Sequence, residues 1–164
     1  MVLNKLDKLV DLENSENNFY NKFQNIEAEI AVIGCLLWDN RNYEKIADLL
    51  NDEHFTNKNN KIIFKTIKNL LDKNILVSPI TLKNHLENND IKFDNVKYLN
   101  QIKDSAPSTH NVYHYAKIIY ELHIKRSLVG IGQNIIHETV ENSNELEGID
   151  LIENAENDLY NLSQ

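Results

Sequence analysis

Two histidines, His110 and His114, stand four residues apart in a stretch with helical spacing, so both imidazoles fall on one helix face, half of a two-histidine zinc site. Completing that site takes a glutamate as base and a third ligand. The residues between them are Asn111, Val112 and Tyr113, and His54, His85, His123 and His137 are scattered, so surface histidines at a helix start are the favoured reading and a histidine-based metalloenzyme the disfavoured one. The single cysteine, Cys35, lies in the most apolar segment with no His or Lys beside it in sequence to lower its pKa, which predicts a buried structural thiol, not a nucleophile. The four glycines, Gly34, Gly130, Gly132 and Gly148, head no phosphate-binding loop, and Gly130-Ile131-Gly132 lacks the third glycine and preceding strand of a dinucleotide fingerprint. Close helix approach or a bend is the reading for these glycines. The carboxylate pairs Glu27/Glu29 and Asp52/Glu53 show no apolar pocket to raise a pKa and are expected on solvated faces. Tyr113, Tyr115 and Tyr120 are expected to pack between helices. No cofactor and no metal is expected in this chain, and no catalytic residue emerges.

Composition bounds the partners. The net charge of −8 opposes tight binding of nucleic acid by this segment, because phosphate contacts need a basic face. The one basic cluster is Lys125-Arg126, with His123 nearby. A mean hydropathy of −0.48 and the lack of an apolar run near the ~20 residues needed to cross a bilayer predict a soluble, cytoplasmic protein with no membrane contact. One cysteine makes no internal disulfide.

Few glycines and prolines favour helices with short connections. Residues 1–24 are polar and read as a flexible N-terminal extension, with a short amphipathic helix possible through Leu3, Leu6, Leu9 and Val10. The first strong element carries Ile26, Ile30, Ile33 and Leu37 in steps of four, three and four, widened by Val32, Cys35, Leu36 and Trp38, so it is expected to be nearly surrounded by protein. Helices follow over about 41–50 on Ile46, Ala47 and Leu50, and over 59–72 on Ile62, Ile63, Ile67 and Leu70. A fourth starts at Pro79 behind a Ser78 cap with Ile80, Leu82 and Leu86 inward, and Val96, Leu99 and Ile102 mark a fifth. Asp104-Ser105-Ala106-Pro107-Ser108-Thr109 punctuates the chain. From about 110 to 142 helical spacing runs unbroken for roughly 50 Å, and Gly148, Ile152, Ala155, Leu159 and Leu162 make a short heptad seam after a polar break. The expected architecture is all-α: a compact head of about five helices, 25–108, followed by a long helical hairpin, 109–164. The hairpin has apolar residues on more than one face, while two helices bury one stripe between them, so the other needs a partner. Ile118, Leu122, Leu128, Val129, Ile136, Ile152 and Leu159 are the expected self-association residues.

Ile26-Glu27-Ala28-Glu29 followed by Val32-Ile33-Gly34-Cys35-Leu36-Leu37 resembles the opening helix of the N-terminal domain of DnaB-type replicative DNA helicases. The resemblance continues through Asp52-Glu53-His54-Phe55, Lys61-Ile62-Ile63-Phe64, Ile80-Thr81-Leu82, Tyr98-Leu99, and Ala106-Pro107-Ser108 with Asn111, Tyr115 and Ala116. It covers about residues 25–163. Phe93-Asp94-Asn95-Val96 departs from it, standing where the family carries a glycine pair.

The resemblance implies a collar domain of a hexameric helicase, pairing through hairpins into a trimer of dimers and docking primase and sometimes a loader protein. The ATP- and Mg-dependent DNA-unwinding motor, with most of the DNA contact, would lie in a C-terminal domain outside this chain. It implies no enzyme activity for these residues and a natural product longer than 164 residues. The alternative is a stand-alone helical replication adaptor without a motor.

Overall fold

The computed structural model describes residues 22–87, 96–106, 108–141 and 147–164. Within them are α1 (Ile26–Trp38), a 3-10 turn (Asn40–Lys45), a second (Asp52–His54), α2 (Lys58–Leu71), α3 (Pro79–Glu87), α4 (Val96–Asp104), a third 3-10 turn (Thr109–Asn111), α5 (Val112–Glu141) and α6 (Gly148–Ser163). The regular structure of the described residues is entirely helical, with no strand among them. The expected amphipathic helix near the N-terminus lies outside them.

Asn25 opens α1 by accepting a hydrogen bond from the Ala28 N–H at 2.9 Å, and Glu27 and Glu29 sit in the first turn, where carboxylates suit the helix dipole. Every residue from Ala28 to Leu37 except Ile30 is buried, so α1 is the axis of the head, as its wide stripe predicted. The following segment is not the regular helix expected over 41–50. Asn40 Nδ2 donates to the Leu36 carbonyl at 2.7 Å, and Asn42 Nδ2 donates to the Cys35 carbonyl at 3.1 Å. The Leu36 carbonyl is one that α1 leaves open at its end, whereas that of Cys35 also accepts the Asp39 N–H at 3.1 Å, and the two amides hold the chain in a 3-10 turn instead. Ile46 and Leu50 are nevertheless fully buried, and Ala47 is half-buried.

Asn57 caps α2, accepting from the Asn59 and Asn60 N–H groups at 3.0 and 3.1 Å. The helix buries Asn60, Ile63, Phe64, Ile67 and Leu70 on one face and closes at Asn74, whose φ of 58° is left-handed. The Ile75 N–H then reaches back to the Leu70 carbonyl at 2.9 Å and the Asn74 N–H to Leu71, a Schellman closure. Ser78 and Thr81 cap α3 reciprocally: the Thr81 N–H donates to Ser78 Oγ at 3.2 Å and the Ser78 N–H to Thr81 Oγ1 at 2.8 Å. Leu82 and Leu86 are buried, but Ile80 is 66% exposed and does not face inward. Its offset of two residues from Leu82 is not a helical repeat, so the two point to different sides.

The compact unit spans Asn25–Glu121 and takes in the first ten residues of α5. Val112, Ala116 and Ile119 join its core, beside Val32, Leu36, Leu82 and Leu99. Phe55 stacks on Phe64 with ring centroids 4.6 Å apart. Each such fully buried side chain contributes about 1.5–3 kcal/mol of transfer free energy. Gly34 lets α4 lie against α1: a Cβ built there would stand 2.7 Å from the Ile102 carbonyl oxygen and 3.0 Å from Ala106 Cβ. The second unit takes in Leu122–Gln164, the remainder of α5 with α6.

Candidate interaction surfaces

The residues that sequence reasoning weighed for chemistry are dispersed. His110 belongs to the 3-10 turn before α5, with its Nδ1 3.3 Å from Ser108 Oγ, whereas His114 sits on the helix with its ring centroid 6.3 Å from that of Tyr115. The two histidines thus stand on different elements, each with its own neighbour. Among the described residues, no three His, Cys, Asp or Glu side chains are gathered to hold a metal. Cys35 is buried, and burial pushes its thiol pKa up, with the Lys45 ammonium drawing it partly back. Tyr115 and Tyr120 pack against the core as expected. Tyr113 is exposed instead.

Glu29 is not on a solvated face. It is 2% exposed and accepts from the Thr56 N–H and Oγ1 at 2.7 Å each, the Asn57 N–H at 3.3 Å and Asn60 Nδ2 at 3.0 Å. The carboxylate thereby fastens α1 to the start of α2, and its position three residues after Ile26, on the apolar stripe, was the available signal. Asp52 and Glu53 are also engaged. Lys61 Nζ lies 2.6 Å from Glu53, Lys65 Nζ 3.7 Å from Asp52, and Lys68 Nζ 2.8 Å from Asn51 Oδ1. Three lysines of one α2 face are thus answered by three consecutive residues of the preceding turn, which dilutes what would otherwise be a basic stripe.

Of the Lys125-Arg126 pair, Arg126 is buried and donates from Nη1 to the Phe23 carbonyl at 2.5 Å, so its charge orders the chain. A groove of about 400 Å³ on the head is lined chiefly by Ala28, Ile30, Ala31, Tyr115 and Ile118, with few polar groups converging on it. The Ile118 assigned to self-association is thus part of the head and half-buried against its core.

Further apolar side chains are exposed on α5 and α6. Leu122 and Val129 are half-buried, while Leu128, Ile135, Ile136 and Val140 along α5 are exposed by 38–67%. On α6, Ile149, Ile152, Leu159 and Tyr160 are exposed by 46–63%, and none of its residues is buried. Leu151, Ala155 and Leu162 form a separate half-buried row, and Asn154 Nδ2 donates to Glu138 of α5 at 3.4 Å. Among the described residues, no atom other than the helix's own nearby backbone lies within 4 Å of a Cβ built on Gly130 or Gly132, so neither glycine relieves a contact there. In sequence, residues 122–164 carry eight acids and two cations, Lys125 and Arg126.

The described residues thus form an all-helical module: a folded head, and two further helical stretches that expose apolar side chains. Residues 21–121 match the family described as the DnaB-like helicase N-terminal domain, and the chain belongs to that family. The replicative DNA helicase DnaB of Rickettsia conorii is 32% identical over 141 residues, covering 85% of this chain and 28% of that protein. The replicative DNA helicase DnaC of Bacillus subtilis is 29% identical, over 86% and 31% of the two chains. The present chain thus spans about a third or less of the length of the curated relatives it matches, between 27% and 34%. Its fold is similar to the crystal structure of the N-terminal domain of DnaB helicase from Mycobacterium tuberculosis, with a TM-score of 0.77 at 18% identity over 84% of this chain and 97% of that one. It is also similar to the structure of a DnaB-like replicative helicase and its interactions with primase, at a TM-score of 0.67 and 24% identity over 84% and 31%.

Proposed function

We propose that this chain is the assembly collar of a replicative helicase: it joins copies through its hairpin and offers a docking surface for primase, and for a helicase loader, in the cytoplasm. The carrying observation is that a 16-residue helix, α6, holds no buried residue. Isolated helices of about that length are marginal in water, so a second body must cover it or its neighbour for the hairpin to be worth its ordering entropy. The uncharged row Leu128, Val129, Gly132, Ile135, Ile136, Thr139 and Val140 repeats by threes and fours, the pattern of a helix–helix seam. Primase as the partner is supported by the similarity to the structure of a DnaB-like replicative helicase and its interactions with primase, and a trimer of dimers within a hexamer is part of the same proposal.

In this reading the chain performs no catalysis. ATP, Mg and the main DNA contacts belong to a motor elsewhere in the longer protein, since no glycine here heads a phosphate cradle. Among the described residues no helix is long and apolar enough to cross a membrane. Sedimentation equilibrium tests the pairing. The chain should self-associate, and Leu128→Asp should weaken association at least tenfold while leaving the head's melting temperature unchanged. A chain that stays monomeric at several hundred micromolar, or a Leu128→Asp variant that associates like the parent, refutes it.

A further inference from the structure

Arg126 stands on the part of α5 beyond the head, yet it is 9% exposed and its Nη1 donates to the Phe23 carbonyl. A guanidinium carries five donors and a fixed charge, so its burial requires acceptors and cover brought to it by the chain. Phe23 and Gln24 group with Leu122–Gln164 and not with the head, which begins at Asn25. Lys22, immediately before Phe23, is helical, and 21 residues precede it. The hydrogen bond thus delivers the end of that segment to one face of α5. We propose that residues 1–21 are the occupant of this face, lying along α5 as a helical strap whose end Arg126 fastens.

From Arg126 the same face continues through Val129, Gln133, Ile136 and Val140, in steps of three and four. Its far end is bare, with Ile136 56% and Val140 67% exposed. The strap matches this row in length and in kind. Leu9 stands 14 residues before Phe23 and Val140 14 residues after Arg126, about 21 Å of helix in each case. Running antiparallel to α5, the strap sets Tyr20 opposite Val129, Glu16 opposite the Gln133 amide, and Leu12 and Leu9 beside Ile136 and Val140. Apolar residues thereby meet at both ends and polar ones in the middle. A second copy on this face would have to displace a chain already fastened at its head end. Leu128, Gly132, Ile135 and Thr139 lie about 100° round the helix and form the seam left for contact between copies. That narrowing of the seam rests on the pairing role proposed above, whereas the placement of the strap does not.

Cross-linking of the full chain with a short bismaleimide under native conditions tests the placement. A Leu9→Cys/Val140→Cys chain should bridge within itself at least tenfold faster than a Leu9→Cys/Ile135→Cys chain, whose second cysteine is on the far side of α5. Denaturing gels show whether one chain or two are joined, and mass spectrometry of the digest identifies the bridge. Arg126→Met, which keeps an apolar stem but cannot donate, should bring the rate of the first pair down to that of the second, with helix content by circular dichroism retained. Equal rates for the two pairs, a bridge that joins two chains, or an Arg126→Met chain that cross-links like its parent overturns the proposal. The comparison of the two pairs leaves Arg126 in place, so it decides the matter even where that variant fails to fold. Leu128→Asp added to the first pair should weaken association and leave the intrachain rate unchanged, so the strap and the pairing of copies fail separately.

Discussion

Glu29 is the residue on which the head's internal order most depends, since one carboxylate answers two backbone N–H groups, a hydroxyl and an amide. Glu29→Gln keeps the volume but turns one acceptor into a donor facing donors, so the head should lose about 1–3 kcal/mol, read as a lower urea midpoint at unchanged slope. Gly34→Ala should be comparably harmful, about 1–3 kcal/mol by thermal melting, because the new methyl meets the backbone oxygen of Ile102 and not a pliable side chain. Cys35 should resist a thiol reagent at pH 8 and react once denaturant opens the head. Burial raises its pKa, so the thiolate is scarcer at any given pH than in the unfolded chain. At this scale the sequence was legible for apolar positions and poorly so for polar ones. Val32, Ile33 and Leu36 announce burial by type, whereas the burial of Glu29 and Asn42 depends on which donors and acceptors the fold brings to them.

Helix existence was readable from periodicity and helix boundaries from caps: Ser78-Pro79 marks the start of α3, and α5 begins two residues inside its expected limit. The segment after α1 was misread because Ile46 and Leu50 have helical spacing, while the asparagines that redirect the chain act on carbonyls several residues upstream. Similarly, nothing local distinguished Ile80 from its buried neighbours except an offset of two. Ser78→Ala should cost about 1 kcal/mol by chemical unfolding, with the loss confined to the head. For α6 the expectation concerns exchange, not equilibrium unfolding. In dilute solution its amides should exchange within seconds, and protection should grow with protein concentration, since burial there must come from another body. Concentration-independent protection of residues 148–163 would show the helix to be sustained by its own chain.

For the molecule as a whole, the charge is unevenly placed. Residues 122–164 hold eight acids against two cations, one of them buried. Bringing two hairpins together therefore opposes like charges, and added salt, with a Debye length near 10 Å at 0.1 M, should favour association. The expected result is a dissociation constant several-fold lower at 0.5 M than at 0.05 M sodium chloride, and the reverse trend would point to contacts made by ion pairs. The all-helical class and the apolar excess of the hairpin were visible in composition and spacing. What covers that excess was not, because an uncovered stripe states a need without naming its occupant.

The lone tryptophan has a practical bearing. Trp38 closes α1 with 60% of its surface in water and the Lys103 ammonium 5.7 Å from its ring centroid. Its fluorescence in the native protein should therefore be that of a hydrated indole, and denaturation should barely shift the emission maximum. A blue shift on mixing with another macromolecule would instead be a clean optical signal that something has settled over that corner of the head.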